Sequence, residues 1–320
     1  MLMFLLLFLS CFLAEIIFQK IWISKMNHLK IKQQVKLYGP SWHEKTKLGT
    51  PTMGGLVFIP IFLISIACLY FIKAIEPNNI TYKIAIYTVL SASVGFIDDW
   101  IKYVKHSSDG LRSIQKLILQ ITVTLPWVIW VLPDGLELLP GRVLPTIPSV
   151  LLVTFVGVGF QNAVNVTDGL DGLATGCMLL SLAGAIGFFG NDPVLLWILI
   201  TTFGILLGFL WQNFNPAEVF MGDVGSHFLA GLLFSLSLCS GVFIVIIPFG
   251  FLFGTEILSV AIQIISIRCF NKKIFLMSPI HHHFELLGWK ETQIVIRFWI
   301  IHIIGMLACF FALDYLISLL

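Results

Sequence analysis

The chain alternates between apolar runs long enough to cross a lipid bilayer and short polar connections, and that alternation leaves few possible folds. Ten runs stand out: Leu2–Trp22, Gly54–Ile72, Ile84–Phe96, Leu117–Leu132, Thr146–Val164, Leu173–Phe189, Val194–Trp211, Val224–Ser240, Val242–Ile267 and Ile294–Leu316. Several approach the roughly 20 residues that a helix needs to span a hydrocarbon core. Backbone groups in lipid must be satisfied within their own segment or in a closed barrel, and runs of this length favour helices. The expected fold is an all-α polytopic integral membrane protein with about ten transmembrane helices. Composition agrees, with 58% hydrophobic and 11% charged residues and a mean hydropathy of +0.96, which excludes a soluble domain. The shortest run, Ile84–Phe96, reads as a buried or tilted helix instead of a clean span. The first run lacks a basic leader and a small-residue cleavage site, so it reads as a retained helix. No internal repeat or flexible linker divides residues 1–320, which read as a single transmembrane domain.

Lysine and arginine orient the bundle. Lys73, Lys83 and Arg142 fall in one set of connections; the other sixteen of the nineteen basic residues fall on the opposite side. The positive-inside rule makes that opposite side cytoplasmic. Ten spans then leave both termini outside. A basic cytoplasmic face suits an anionic lipid surface or an anionic substrate. No nucleic-acid-binding pattern is present.

On this topology the carboxylates converge. Asp98 and Asp99 end the third run at its cytoplasmic mouth, Asp168 and Asp171 end the fifth, and Asp223 in FMGDVGS opens the eighth. All five are expected at one membrane depth. Carboxylates near a bilayer boundary are costly unless partnered, so a shared site accounts for them better than separate helix-end caps and salt bridges. In DDWIK, Asp98 and Lys102 share a helix face, while Asp99 is turned about 100° away. The two aspartates are expected to differ in role, one facing a substrate or metal and the other supporting it. Asn162, Asn165, Asp168 and Asp171 recur every third residue as a drifting polar stripe. Gly169 and Gly172 leave room for a ligand and permit turns. Hard oxygen donors without cysteine or histidine favour magnesium over zinc. Carboxylates beside lysines suit phosphoryl transfer.

Other features carry less. SPIHHHFE (Ser278–Glu285) holds three adjacent histidines, which cannot all face one pocket. If helical, His281 shares a face with Glu285 while His282 and His283 point elsewhere. Hydrogen bonding to phosphate or proton handling suits them better than zinc, which wants separated ligands. The six cysteines, nearly all in apolar runs, show no metal spacing and read as packing residues. Turn signals at Asp134-Gly135 and Pro140-Gly141 suggest a short hairpin in the outer connection.

Five stretches in order resemble the phospho-N-acetylmuramoyl-pentapeptide transferases (MraY), of the polyprenyl-phosphate N-acetylhexosamine 1-phosphate transferase superfamily. They are KLGTPTMGG (Lys47–Gly55), DDWIK (Asp98–Lys102), NAVNVTDGLDGLA (Asn162–Ala174), FMGDVGS (Phe220–Ser226) and PIHHHFE (Pro279–Glu285). The likeness continues to IVIRFWI (Ile294–Ile300) and covers most of the chain. The sequence GLRSIQK ending at Lys116 departs from the family pattern, which is closer to GLSARQK.

The resemblance implies one catalytic domain in the bacterial cytoplasmic (inner) membrane, with its active site on the cytoplasmic side. It implies transfer of phospho-MurNAc-pentapeptide from UDP-MurNAc-pentapeptide to undecaprenyl phosphate, giving lipid I and UMP in peptidoglycan synthesis, with Mg²⁺ required. It implies Asp223 as the direct metal ligand with Asp98 and Asp99 close by, these three and His281 being the catalytic set. Asp98 is the candidate to deprotonate or position the lipid phosphate. Lys47, Asn165, Gly169, Leu170, Asp171, Asn213 and Phe220 match the nucleoside pocket, with Phe220 stacked on uracil. Gln263, His282 and His283 match the sugar–peptide region, and Thr52, Lys102, Lys116, Asp168 and Asn162 are expected near the phosphates. Members of the family are commonly homodimers.

Direct attack by the lipid phosphate is expected over a phospho-aspartyl route, because phosphate is an adequate nucleophile once oriented. Two other readings compete. A sister enzyme moving GlcNAc-1-phosphate to a polyprenyl phosphate would share the aspartates, but PTMGG and HHHFE favour the muramoyl enzyme. A transporter or lipid flippase would place its polar site at the midplane and show two related halves; neither pattern is seen.

Overall fold

The computed structural model describes residues 2–28, 49–74, 79–105, 107, 109–139 and 141–319. The helices, in order, are α1 (Leu2–His28), α2 (Phe58–Phe71), α3 (Asn79–Lys105), α4 (Ser113–Val131), α5 (Thr146–Thr167), α6 (Leu173–Phe189), α7 (Pro193–Asn213), α8 (Gly222–Cys239), α9 (Ile246–Phe249), α10 (Phe251–Phe270), α11 (Ile280–Leu286) and α12 (Glu291–Ser318). Among the described residues nine helical segments are long and apolar enough to cross a membrane, and α6, with 17 residues, is a shorter apolar tenth. The chain is an all-α polytopic membrane protein. Phe71, Phe155 and Ile147 are 89%, 78% and 75% exposed, as expected of side chains that face lipid. The connection between α4 and α5 folds into the antiparallel hairpin β1 (Leu136–Leu139) and β2 (Arg142–Leu144).

Two expected spans come out differently. Ile84–Phe96 is only the apolar middle of α3, a 27-residue helix. Its flanks TYK and DDWIKYVK are polar but helical, so hydropathy truncates it; Asp98 and Asp99 sit inside the helix, not at its end. The expected span Val242–Ile267 is broken. A 3-10 turn (Phe243–Val245) and the single turn α9 precede Gly250, after which α10 begins. Backbone freed by such a break must find partners, because lipid offers none. Ser181 Oγ donates to the Phe249 carbonyl (2.6 Å), Leu252 N donates to His302 Nδ1 (3.3 Å), and Ser181 Oγ and His302 Nε2 lie 2.9 Å apart. α6 and α12 thereby satisfy the break.

The centre of the bundle is α8. Every residue from Val224 to Leu238 is buried, as expected for a helix that is apolar on all sides. Small residues let α3 lie close against it: a Cβ on Gly95 would fall 2.1 Å from the Asp223 carbonyl oxygen. Ser91 Oγ donates to the His227 carbonyl at 2.7 Å. Gly204 and Gly208 of α7, one turn apart, likewise admit α1, the small-xxx-small device that replaces hydrophobic driving force within lipid. Tyr87, Thr124 and Gln161 tie α3, α4 and α5 through bonds of 2.9–3.0 Å; such interhelical bonds contribute about 0.6 kcal/mol each on average. Asp192 caps α7 by accepting from Val194 N and Leu195 N, with Pro193 in the first turn.

Candidate active site

The close packing of α3 on α8 determines the site. Because Gly95 holds α3 against the first turn of α8, Asp98 and Asp99, one turn further along, come level with Asp223. Ligand atoms of Asp98, Asp99 and Asp223 all lie within 4.8 Å of one another. Gly222 admits this convergence twice over: its φ is +73°, and a Cβ there would lie 2.6 Å from Asp99 Oδ2. Asp223 sits in the first turn of α8, where the helix dipole favours an anion.

Two lysines hold the carboxylates together. Lys102 Nζ is 2.6 Å from Asp98 Oδ2, 3.4 Å from Asp99 Oδ1 and 3.0 Å from Asp223 Oδ2. Lys116 Nζ, from α4, donates to Asp223 Oδ2 at 2.7 Å and Asn165 Oδ1 at 3.2 Å. Asn165 Nδ2 in turn donates to Asp223 Oδ1 (2.9 Å) and Ser226 Oγ (3.0 Å). Backbone donors complete the shell: Leu111 N to Asp98 Oδ1 at 2.6 Å, and Val224 N to Asp99 Oδ2 at 3.0 Å. Lys102 thus touches both aspartates of α3. The departure of GLRSIQK from the family pattern does not displace Lys116 from the cluster. Three adjacent carboxylates are the donor set of a small hard cation, and these residues fit one.

The polar stripe of α5 divides where the helix ends at Thr167. Asn165 joins the carboxylate cluster. Asn162 donates to Gln120 Oε1 (2.9 Å), and Gln120 Nε2 meets His227 Nε2 at 3.2 Å, behind Asp223. Asp168 is the C-terminal cap residue of α5. Asp171, beyond the helix, faces another way: its Oδ2 accepts from Asn215 Nδ2 (3.1 Å) and Ala217 N (3.0 Å), while its own N–H donates to Glu291 Oε1 at 2.7 Å. Leu170 is buried in the core.

Gly169 leaves room for a protein side chain. A Cβ there would lie 2.4 Å from His281 Nε2, so the missing side chain makes room for that imidazole. His281 Nδ1 is 3.1 Å from Glu256 Oε1, with both side chains fully buried. The carboxylate beside His281 is thus Glu256 of α10, close but not aligned for a hydrogen bond, whereas Glu285 bonds His282 Nδ1 at 2.5 Å. Glu256 was legible as a carboxylate inside an apolar run, the usual mark of a functional position; Gln120 and His227 carried the same signal more weakly.

The remaining candidates line loops. Gln263 clamps the segment before α11, accepting from Ile274 N and Phe275 N (both 3.0 Å) and donating to the Phe275 carbonyl at 2.8 Å; His283 Nδ1 accepts from Leu276 N at 3.1 Å. Buried Asn213 donates to the Val219 carbonyl (3.0 Å) and accepts from Thr175 Oγ1 (2.8 Å), so it supports the Phe220 loop from behind. Phe220 is half-buried, and its backbone pairs with the PTMGG stretch: Phe220 N to the Pro51 carbonyl, and Gly54 N to the Phe220 carbonyl, both at 2.9 Å. The Thr52 carbonyl accepts from Trp22 Nε1 at 3.3 Å. Lys47 lies outside the described residues.

Comparison with known proteins points to one family. The glycosyl transferase family 4 profile matches residues 81–241, a span that contains the three clustered aspartates and both lysines. A phospho-N-acetylmuramoyl-pentapeptide-transferase signature matches residues 47–59. Proteins named phospho-N-acetylmuramoyl-pentapeptide-transferase from Staphylococcus carnosus and Lacticaseibacillus paracasei are 41% and 39% identical, each over 92% of this chain and 94% of the relative. A third, from Staphylococcus saprophyticus, is 39% identical over 93% of this chain and 96% of its own length. With motifs, architecture and similarity along nearly its whole length in agreement, the chain belongs to the phospho-N-acetylmuramoyl-pentapeptide-transferase family.

Proposed function

We propose that the protein transfers phospho-MurNAc-pentapeptide from UDP-MurNAc-pentapeptide to undecaprenyl phosphate, releasing UMP and forming lipid I. The observation that carries this reading is the convergence of Asp98, Asp99 and Asp223 with Lys102 and Lys116 in a chain of this family. An oxygen of the lipid phosphate attacks the β-phosphorus of the nucleotide sugar. The bond from that phosphorus to the bridging oxygen breaks, and UMP departs with the electron pair. Asp98 orients the attacking phosphate or takes its proton, and Lys102 and Lys116 draw the anionic groups together. Mg²⁺ is the proposed cofactor, held by the three aspartates and supplying charge neutralisation to the diphosphate when bound. Phe220 stacks on uracil beside Asp171. His281, buried beside Glu256, hydrogen-bonds a substrate phosphate or handles a proton.

The charge asymmetry of the connections supports a cytoplasmic active site in the bacterial inner membrane, with both termini outside when α6 counts as a tenth crossing. Residues 1–320 act as one catalytic unit, and the protein works as a homodimer. UMP release from purified protein, measured with and without Mg²⁺ and undecaprenyl phosphate, tests the reading. Release that requires both supports it. Equal release with UDP-GlcNAc would favour the sister reaction, and none with either sugar would overturn it.

A further inference from the structure

The first helix turns an unexpected face to the bundle. Its buried residues are Cys11, Glu15, Gln19 and Met26, a stripe at helical spacing, and two of the four are polar. Glu15 and Gln19 are fully buried. A carboxylate inside a membrane-spanning segment is retained at a cost and asks for a purpose.

Its neighbours supply one. With its amide turned so that the nitrogen, not the oxygen, faces these two acceptors, the Gln19 side chain donates to Glu15 Oε1 at 3.0 Å and to the Gly54 carbonyl at 3.3 Å. Gly54 N donates to the Phe220 carbonyl and Gly55 N to the Met221 carbonyl, each at 2.9 Å. These bonds lead into the turn before Asp223. The segment being held is itself strained, since buried Met53 adopts φ +63°, ψ +26°. A non-glycine residue stays in that region only where its surroundings over-determine it. Space is equally tight: a Cβ on Gly54 would lie 2.5 Å from the Gln19 amide. α1 is held in turn by α7, where Gln212 Nε2 donates to the Ile16 carbonyl at 3.2 Å.

We propose that Glu15 and Gln19 are positioning residues of the transferase site, fixing Gly54 and through it Phe220 and the start of α8. Glu15 acts as the acceptor that orients the Gln19 amide, so its hydrogen-bonding oxygen matters and its charge does not. The inference rests on the transferase reading for its kinetic consequences only. The register of residues 51–56 can be followed without turnover.

The test compares the full-length purified protein with Glu15→Gln, Glu15→Leu and Gln19→Leu, varying each substrate separately. Loss of one hydrogen bond in the relay should raise KM for UDP-MurNAc-pentapeptide by about fivefold in both leucine variants. KM for undecaprenyl phosphate should stay within about twofold, as should every parameter of Glu15→Gln. Hydrogen exchange at the Gly54 and Gly55 amides should quicken in the leucine variants and not in Glu15→Gln. Should a leucine variant fail to fold, Gln19→Met removes the same donor with less change of shape, and amide exchange decides. Unchanged nucleotide-sugar KM and unchanged exchange in folded variants would overturn the proposal, as would a Glu15→Gln defect equal to that of Glu15→Leu. Wild-type protein that released no UMP would defeat the transferase reading, and the exchange comparison would still judge the relay.

Discussion

Lys116 Nζ lies 2.7 Å from Asp223 Oδ2, although 107 residues separate the two in sequence. The same oxygen is 3.0 Å from Lys102 Nζ, so ammonium groups from α4 and α3 meet on one carboxylate at the first turn of α8. Removing one partner from such a largely buried group leaves the others uncompensated. The cluster should therefore respond sharply to loss of charge and little to changes elsewhere on the bundle surface.

Asp223→Asn should lose far more turnover than fold. A metal ligand contributes several kcal/mol of charge stabilisation in the transition state, so a drop of roughly 10³-fold is expected, and Asp98→Asn should behave similarly. UMP release by folded variants at saturating Mg²⁺ is the measurement. Near-normal rates would remove the residue concerned from the site, and a trapped phospho-aspartate would displace the direct route.

Lys102→Gln should tighten divalent-cation binding while slowing turnover. Lys102 contacts all three carboxylates, so a cation bound to them is opposed by its charge. Removing that repulsion should lower the Mg²⁺ concentration for half-maximal activity by about tenfold, even as the maximal rate falls. A Mg²⁺ titration reads both numbers; movement of the rate alone would mean that the lysine and the metal do not share the cluster.

The connections should follow the basic residues. A single cysteine at position 142, in β2, should react with an impermeant reagent in intact cells, and cysteines at 25 and 282 should not. The reverse pattern would overturn the topology and the cytoplasmic site together.

Much of this was legible in the sequence because lipid imposes simple rules. Apolar length located the spans, and carboxylates at the ends of apolar runs pointed to the cluster before any contact was known. The rest depended on packing. Ile84–Phe96 looked short because α3 continues through polar flanks that hydropathy does not register, although only Thr81, Asp98 and Asp99 are buried in them. The break at Gly250 was hidden because its partners, Ser181 and His302, come from α6 and α12. Periodicity drew Asn162, Asn165, Asp168 and Asp171 into one drifting stripe, but the helix stops at Thr167 and the stripe stops with it. His281 and Glu256 belong to separate helices, and no local spacing could have paired them.

Gly169→Ala should impair turnover without weakening nucleotide binding. The added methyl would sit 2.4 Å from His281 Nε2 and 3.0 Å from Cε1, closer than packed atoms allow. The imidazole, fully buried beside Glu256, would have to move. Displacing a group that acts on the substrate should lower kcat by about tenfold or more, while inhibition by UMP stays near the wild-type value. A normal kcat in the folded variant would show that the position of His281 does not matter to the reaction.

Phe220→Ala addresses the opposite end of the substrate. The residue's backbone is fixed on both sides, its N–H by the Pro51 carbonyl and its carbonyl by Gly54 N, and Asn213 holds the preceding Val219 carbonyl. Truncating the ring should therefore leave the loop in place and remove only the surface that would stack on uracil. A stacked aromatic pair contributes about 0.5–1.5 kcal/mol beyond its buried area, so nucleotide-sugar binding should weaken by ~10-fold or more. The half-maximal Mg²⁺ concentration should hardly change, because the three aspartates keep their positions. Inhibition by free uridine nucleotides should weaken in parallel with substrate binding, since both would use the same ring. If Phe220→Ala instead left UMP inhibition intact while abolishing use of the lipid phosphate, the uracil site would lie elsewhere and this loop would belong to the lipid side of the reaction.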